Sequence, residues 1–290
     1  MSYTVLARRY RSHEFDEIVG QSAIARTLAN AIEQGRVGHA YLFVGTRGVG
    51  KTTMARVFAK ALNGGEPAVE TAIMTGQDTD VIEIDAASNS KVDETRELIA
   101  NCVYRPMRGR HKIYIIDEVH MLSTAAFNAL LKTLEEPPEH VKFVLCTTET
   151  HKVPATIQSR CQRFDFRNLS TKEIADHLAM ILEKESIETE PELLHAVARL
   201  GNGSMRDALS MMDRLIASSE PGEAITLATL EQLLGLPSRT LIAGVVDAVA
   251  SGDAGAALKL ADDLLGRGIS LDQVIEALAS RFRDLMVLES

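Results

Sequence analysis

Apolar residues along this chain fall into two kinds of cluster. Four short runs, "HAYLFV" (39–44), "DVIEID" (80–85), "HKIYIID" (111–117) and "KFVLCTT" (142–148), are rich in β-branched and other apolar residues. Each is bounded by polar or turn residues, the mark of a buried strand. Between them apolar residues recur at helical spacing over about 22–35, 51–63, 91–103 and 123–136. The last of these ends at Pro137-Pro138, because proline supplies no helical N–H. Strands alternating with helices predict an α/β fold, a parallel sheet covered on both faces.

Beyond residue 170 the period changes and no strand pattern remains. "STKEIADHLAMILEKES" opens with a Ser/Thr cap and a Glu in the first turn, a helix start. Further helices are expected over 190–200, 203–219 and 226–234, then a hinge at "GLPS" (235–238). Three more helical stretches follow, roughly 239–250, 253–266 and 270–289. Apolar spacing continues to the last residues, so the chain is expected to stop within an element. Residues 64–79 read as a loop with room for a short helix.

Composition narrows the class. The 290 residues suit two or three domains, and a hydrophobic fraction of 46% is enough for real cores. Aromatic residues are only 4% and tryptophan is absent, which favours helical and α/β architecture over a β-sandwich. A net charge of −9 excludes a generally basic nucleic-acid coat, so any DNA contact needs a local patch. No apolar run reaches the length of a membrane span, and the N-terminus lacks a signal-peptide core. Cys102, Cys146 and Cys161 are scattered, with no CxxC, so neither a disulfide framework nor a zinc knuckle is indicated. The cytoplasm is the expected compartment.

The chemistry concentrates in "GTRGVGKT" (45–52), which follows a strand and opens a helix. Gly45, Gly48 and Gly50 let the backbone wrap phosphates, with the N–H groups of Thr46, Val49 and their neighbours pointing inward. The helix N-terminus adds a favourable dipole, with Thr53 in its first turn. Lys51 would reach the β- and γ-phosphates, and the Thr52 hydroxyl would ligate Mg²⁺. Asp117, at the end of an apolar strand, suits holding the same Mg²⁺ from the carboxyl edge of the sheet. Glu118 beside it can polarise a water for attack on the γ-phosphate, a task for which GTPases use glutamine. Thr148, preferred here over Thr147, ends the next strand and can touch the γ-phosphate or orient that water. Arg160 and Arg206 could each stabilise transition-state charge. On the residues alone, a surface arginine or an Arg206–Asp207 salt bridge is the favoured account of them.

Longer stretches resemble a known family. "YTVLARRYRSHEFDEIVGQ", "HAYLFVGTRGVGKT", "EIDAASNSKVDETREL", "IIDEVHMLS", "FNALLKTLEEPPEHVKF", "TIQSRCQRF" and "GSMRDALS" are similar, in order and over nearly the whole chain, to the AAA+ clamp-loader ATPases. More narrowly they resemble the gamma/tau family of bacterial DNA polymerase III. The resemblance implies an AAA+ ATPase core over 1–170, a three-helix lid over 171–235 and a truncated helical collar over 236–290. It implies an ATP- and Mg²⁺-dependent motor that loads a sliding clamp onto primer–template DNA at the replisome. Its partners would be delta, delta prime and further gamma/tau copies, with no membrane. Arg160 in Ser-Arg-Cys corresponds to the arginine finger that acts in trans on the neighbouring subunit's ATP. Arg206 corresponds to the sensor of the γ-phosphate within the chain. Val19, with Gly20 and Gln21, falls near the adenine, with Arg8 to Arg11 just before.

"ASNSKVDETR" matches the stretch that grips DNA phosphates without reading sequence, so Ser90, Lys91 and Arg96 are the expected contacts. Asn89 stands where a basic residue would strengthen that grip. One departure concerns zinc. The family carries a four-cysteine zinc module where this chain reads "NGGEPAVETAIMTGQDTD" (63–80), which has no cysteine. With no thiolate cluster, no zinc site is expected. Two alternatives keep the same fold: another AAA+ DNA-processing ATPase, such as a branch-migration motor, or a non-hydrolysing structural subunit of a clamp loader.

Overall fold

The computed structural model describes residues 4–88, 102, 104–220, 222–266 and 268–288. Strands β1 (Ala40–Val44), β2 (Val81–Asp85), β3 (Lys112–Asp117), β4 (Val141–Thr147) and β5 (Gln162–Asp165) form one parallel sheet in the order β2-β3-β4-β1-β5. The four apolar runs are the first four strands. β5, "QRFD", is a strand the apolar pattern does not predict. It lies at the sheet edge and is mostly exposed, so pairing rather than burial makes it a strand. Its charged side chains guard the free edge.

Around the sheet run α1 (Leu6–Arg9), α2 (Ser22–Glu33), α3 (Lys51–Asn63), α4 (Pro67–Thr75), α5 (Thr124–Glu135) and α6 (Ala155–Gln158). After it come α7 (Thr171–Lys184), α8 (Pro191–Leu200), α9 (Met205–Ser218), α10 (Leu227–Leu234), α11 (Arg239–Ala250), α12 (Ala254–Gly266) and α13 (Leu271–Leu288). The helix expected over 91–103 falls almost wholly outside the described residues.

Strand alternation builds two cores. Tyr41 and Phe43 of β1 pack with Leu28 of α2 and Met54 and Phe58 of α3. Ala40 and Leu42 belong to the other face, with Phe127 and Leu130 of α5. Every residue of the central strand β4 is buried, as a parallel strand covered on both faces requires.

Local chemistry sets the ends of the elements. The Ser170 hydroxyl accepts from the Glu173 amide at 3.2 Å, and Glu173 accepts from the Ser170 amide at 2.9 Å, a reciprocal cap that starts α7. The 64–79 segment is more regular than its sequence suggests. Pro67 in the first turn and a left-handed Gly76 (φ 73°) bound α4, whose Ile73 and Met74 join the core. Asp80, 1% exposed, accepts from the amides of Met107, Arg108 and Gly109 at 2.7, 2.7 and 2.8 Å. It ties the loop before β3 to the start of β2.

The chain forms two compact units, Met1–Leu178 with Ala198–Ser210, and Ala179–Val197 with Met211–Ser290. In the second, Ile242, Val245, Leu264 and Val274 make a core among α11, α12 and α13. Among the described residues no single helix is long and apolar enough to cross a membrane.

Candidate active site

The turn from β1 into α3 is built on its glycines. Gly48 (φ 78°) and Gly50 (φ 99°) are left-handed, a region open to residues without a Cβ. A Cβ on Gly48 would lie 2.0 Å from the Ser204 Oγ, and one on Gly45 would lie 2.8 Å from the Phe166 carbonyl oxygen. Val49 is buried between them, and Thr53 is half-buried in the first turn of α3. The exposed Thr46 donates its hydroxyl proton to Asn168 Oδ1 at 2.5 Å. Lys51, 6% exposed, donates from its ammonium to the carbonyls of Gly45 and Thr46 at 2.7 and 2.8 Å. Burial lowers its pKa, against the pull of the Asp117 and Glu118 carboxylates.

β3 delivers the acidic pair to the same edge. The Thr52 hydroxyl donates to Asp117 Oδ2 at 2.6 Å, and the Glu118 amide donates to Asp117 Oδ1 at 2.9 Å. Glu118 is itself left-handed (φ 47°, ψ 45°). Such a backbone costs a residue with a Cβ on the order of 1 kcal/mol and persists only where its surroundings hold it. Thr148, just past β4, donates to Glu118 Oε2 at 3.0 Å.

Thr147 and His120 carry a part that sequence reasoning does not reveal. Thr147 is fully buried, and its hydroxyl accepts from the Glu149 amide at 3.0 Å and lies 3.0 Å from His120 Nδ1. His120 falls in the 3-10 turn Val119–Met121, which swings its ring back beside Glu118. A single histidine after an apolar strand has no periodic signal of its own; only the proximity of "DEVH" to the acidic pair could have flagged it.

Arg206 opens α9, where the Met205 amide donates to the Gly48 carbonyl at 3.1 Å. Arg206 is exposed, as is its neighbour Asp207. Arg11, half-buried, has its pKa lowered by burial and by the charges of Arg56, Arg206 and Arg8, against Glu83. Arg160 follows α6, with its guanidinium on Glu135 Oε1 at 2.7 Å and on the Thr156 carbonyl at 2.7 Å. No hydrogen bond or ion pair joins Arg160 to Lys51, Asp117 or Glu118. Val19 is half-buried beside Ile18, whose Cγ2 lies 3.8 Å from the Cβ position of Gly50. The Gln21 side chain donates to the Arg167 carbonyl at 2.8 Å. Ser90, Lys91 and Arg96 lie outside the described residues. Among the described residues, no group of three or more His, Cys, Asp or Glu side chains is placed to hold a metal.

These residues fit a nucleoside triphosphate with a hard divalent cation. The loop has room only for backbone at Gly45 and Gly48. Its lysine is buried against it, and the Thr52–Asp117 pair presents the oxygen ligands such a cation takes.

A phosphate loop opening α3 and an Asp-Glu pair at the end of β3, on this parallel sheet, define a nucleotide-binding fold of the P-loop class. A Thermotoga maritima RuvB structure, titled a Holliday junction branch migration motor, shares the fold with a TM-score of 0.60. It is 18% identical over 94% of this chain and 91% of that one, a likeness of fold alone. The family model described as "DNA polymerase III, delta subunit" matches residues 20–170. "DNA polymerase III clamp loader subunit, ATPase lid domain" matches 173–221, and "DNA polymerase III subunits gamma and tau domain III" matches 225–290. DNA polymerase III subunit tau of Escherichia coli is 46% identical over 99% of this chain and 46% of its own length. Subunit gamma of Buchnera aphidicola (Acyrthosiphon pisum) is 41% identical over 95% of this chain and 78% of its own length. The chain belongs to the gamma/tau family of DNA polymerase III subunits. It spans about half the length of the tau subunits that it matches.

Proposed function

We propose that this chain is the ATP-hydrolysing motor portion of a sliding-clamp loader that serves DNA replication in the cytoplasm. The observation that carries the reading is the Thr52–Asp117–Glu118–Thr148 chain of hydrogen bonds beside the buried Lys51. A structural subunit that never hydrolyses has no need of that arrangement. Lys51 and the amides of Gly45–Thr53 bind the triphosphate, with Val19 toward the base. Thr52 and Asp117 would hold Mg²⁺, which neutralises phosphate charge as it develops. Glu118 polarises the attacking water, Thr148 orients it, and Arg206 answers the γ-phosphate from the same chain. Arg160 serves the ATP of the adjoining subunit, so the site is completed only by assembly.

In this reading residues 1–170 are the ATPase core, 171–235 the lid and 236–290 the collar through which subunits assemble. The partners are delta, delta prime, further gamma/tau copies, the clamp and primer–template DNA. Phosphate contacts to the DNA fall to Ser90, Lys91 and Arg96. The test is the ATPase rate of the reconstituted complex with and without clamp and primed DNA. Stimulation by both is expected; no stimulation sinks the clamp-loader reading. Lys51→Ala should lose ATP binding, whereas Glu118→Gln should bind ATP and turn it over slowly.

A further inference from the structure

His120 is 6% exposed at its side chain, and both ring nitrogens are engaged. Nδ1 lies 3.0 Å from the Thr147 hydroxyl and 3.4 Å from Glu118 Oε2, and Nε2 lies 3.3 Å from Glu149 Oε1. One ring nitrogen meets the buried Thr147 hydroxyl and the other faces the Glu149 carboxylate, so the ring is held from both sides. Glu149 is held in turn, by its amide on Thr147 and by Lys152 at 2.8 Å.

The consequence falls on Glu118. Its Oε2 takes the Thr148 hydroxyl at 3.0 Å and faces His120 Nδ1, while among the described residues no hydrogen bond engages Oε1. One oxygen is pinned and the other is left to meet a water. The strained left-handed backbone of Glu118 starts the very turn that returns His120 to it. Strain of that kind, over-determined by neighbours, marks a group whose orientation matters.

We propose that His120 is a positioning residue for hydrolysis. Anchored at Thr147 and Glu149, it packs against Glu118 Oε2 and so fixes the angle at which Glu118 meets the attacking water. The proposal rests on the ATPase reading above. It assigns His120 no contact with nucleotide.

The test is single-turnover ATP hydrolysis by the full-length protein, reconstituted with its partner subunits, clamp and primed DNA. His120→Ala should lower the hydrolysis rate about tenfold while ATP affinity stays within about twofold, since a base displaced by a fraction of an ångström loses rate and not binding. Placed on Glu118→Gln, the same substitution should change the rate by less than about twofold, because a residue acting only through Glu118 has nothing left to act on. Equal losses in both backgrounds overturn the proposal, as does an unaffected single variant. Should His120→Ala misfold, His120→Asn carries the same cycle, being too short to reach Glu149. A wild-type complex that hydrolyses no ATP overturns the ATPase reading, and this proposal with it. An active wild type with an indifferent His120 overturns this proposal alone.

Discussion

The Thr52 hydroxyl donates to Asp117 Oδ2 at 2.6 Å, joining the phosphate-loop helix to the third strand across 65 positions of sequence. The two oxygens form a ready pair for a divalent cation. Asp117→Asn keeps the shape and removes the charge. ATP hydrolysis should fall by about tenfold or more, and the Mg²⁺ concentration for half-maximal rate should rise. A Mg²⁺ titration that superimposes on that of the wild type would take Asp117 out of the cation site.

Arg160 is held within its own chain by Glu135 and the Thr156 carbonyl. Its pair with Glu135 is between partly exposed side chains, 33% and 53%, and such pairs are worth less than about 1 kcal/mol. Arg160→Ala should therefore bind ATP as the wild type does, yet lose about a thousandfold in hydrolysis within the complex. Mixing it with Lys51→Ala subunits should restore part of the rate, each supplying what the other lacks. A fully active complex of Arg160→Ala alone would end the shared-site mechanism.

Asp80 answers for stability and not for catalysis. Replacing it by alanine leaves the amides of Met107, Arg108 and Gly109 without their acceptor. The expected cost is about 3 kcal/mol, read as a lowered urea midpoint with an unchanged slope. A shift below about 0.5 kcal/mol would mean that water or a rearranged loop satisfies those amides.

Glu173 gives the fold a pH dependence of known sign. The Arg167 guanidinium, then the Ser170 amide and hydroxyl, hold its carboxyl down to about 2. A depressed carboxyl stabilises the fold above its unfolded pKa of about 4.3, and that contribution disappears as pH falls toward 2. Arg167 is 57% exposed, so solvent screening limits the pair to less than about 1 kcal/mol. Glu173→Gln should melt below the wild type at pH 6, and the gap should narrow through pH 4 to 3. A gap that stays constant over that range would assign the effect to helix capping instead.

Part of the fold is legible because burial leaves a pattern. Ile113 to Ile116 are almost wholly excluded from solvent, and a strand so placed must be apolar along its length. α4 is harder to read, since Pro67, Gly64 and Gly76 punctuate it at both ends and suggest a loop. The packing of Ile73 and Met74 against the core favours the helix. β5 is harder still, because a paired edge strand need not be apolar.

The site divides the same way. The phosphate loop, the acidic pair and the lysine are legible along the chain, because phosphate and cation chemistry demand particular residues at particular spacings. Their order along "GTRGVGKT" and "IIDEVH" also placed them at strand ends, where a parallel sheet exposes its carboxyl edge. Tertiary structure alone decided which side chains meet across the chain. Thr148 on Glu118, His120 between Glu118 and Glu149, and Ser204 against Gly48 are contacts between residues far apart or turned by local backbone. No spacing rule encodes them. They follow from strand register and from the left-handed turn at Glu118, which exist only once the sheet has formed.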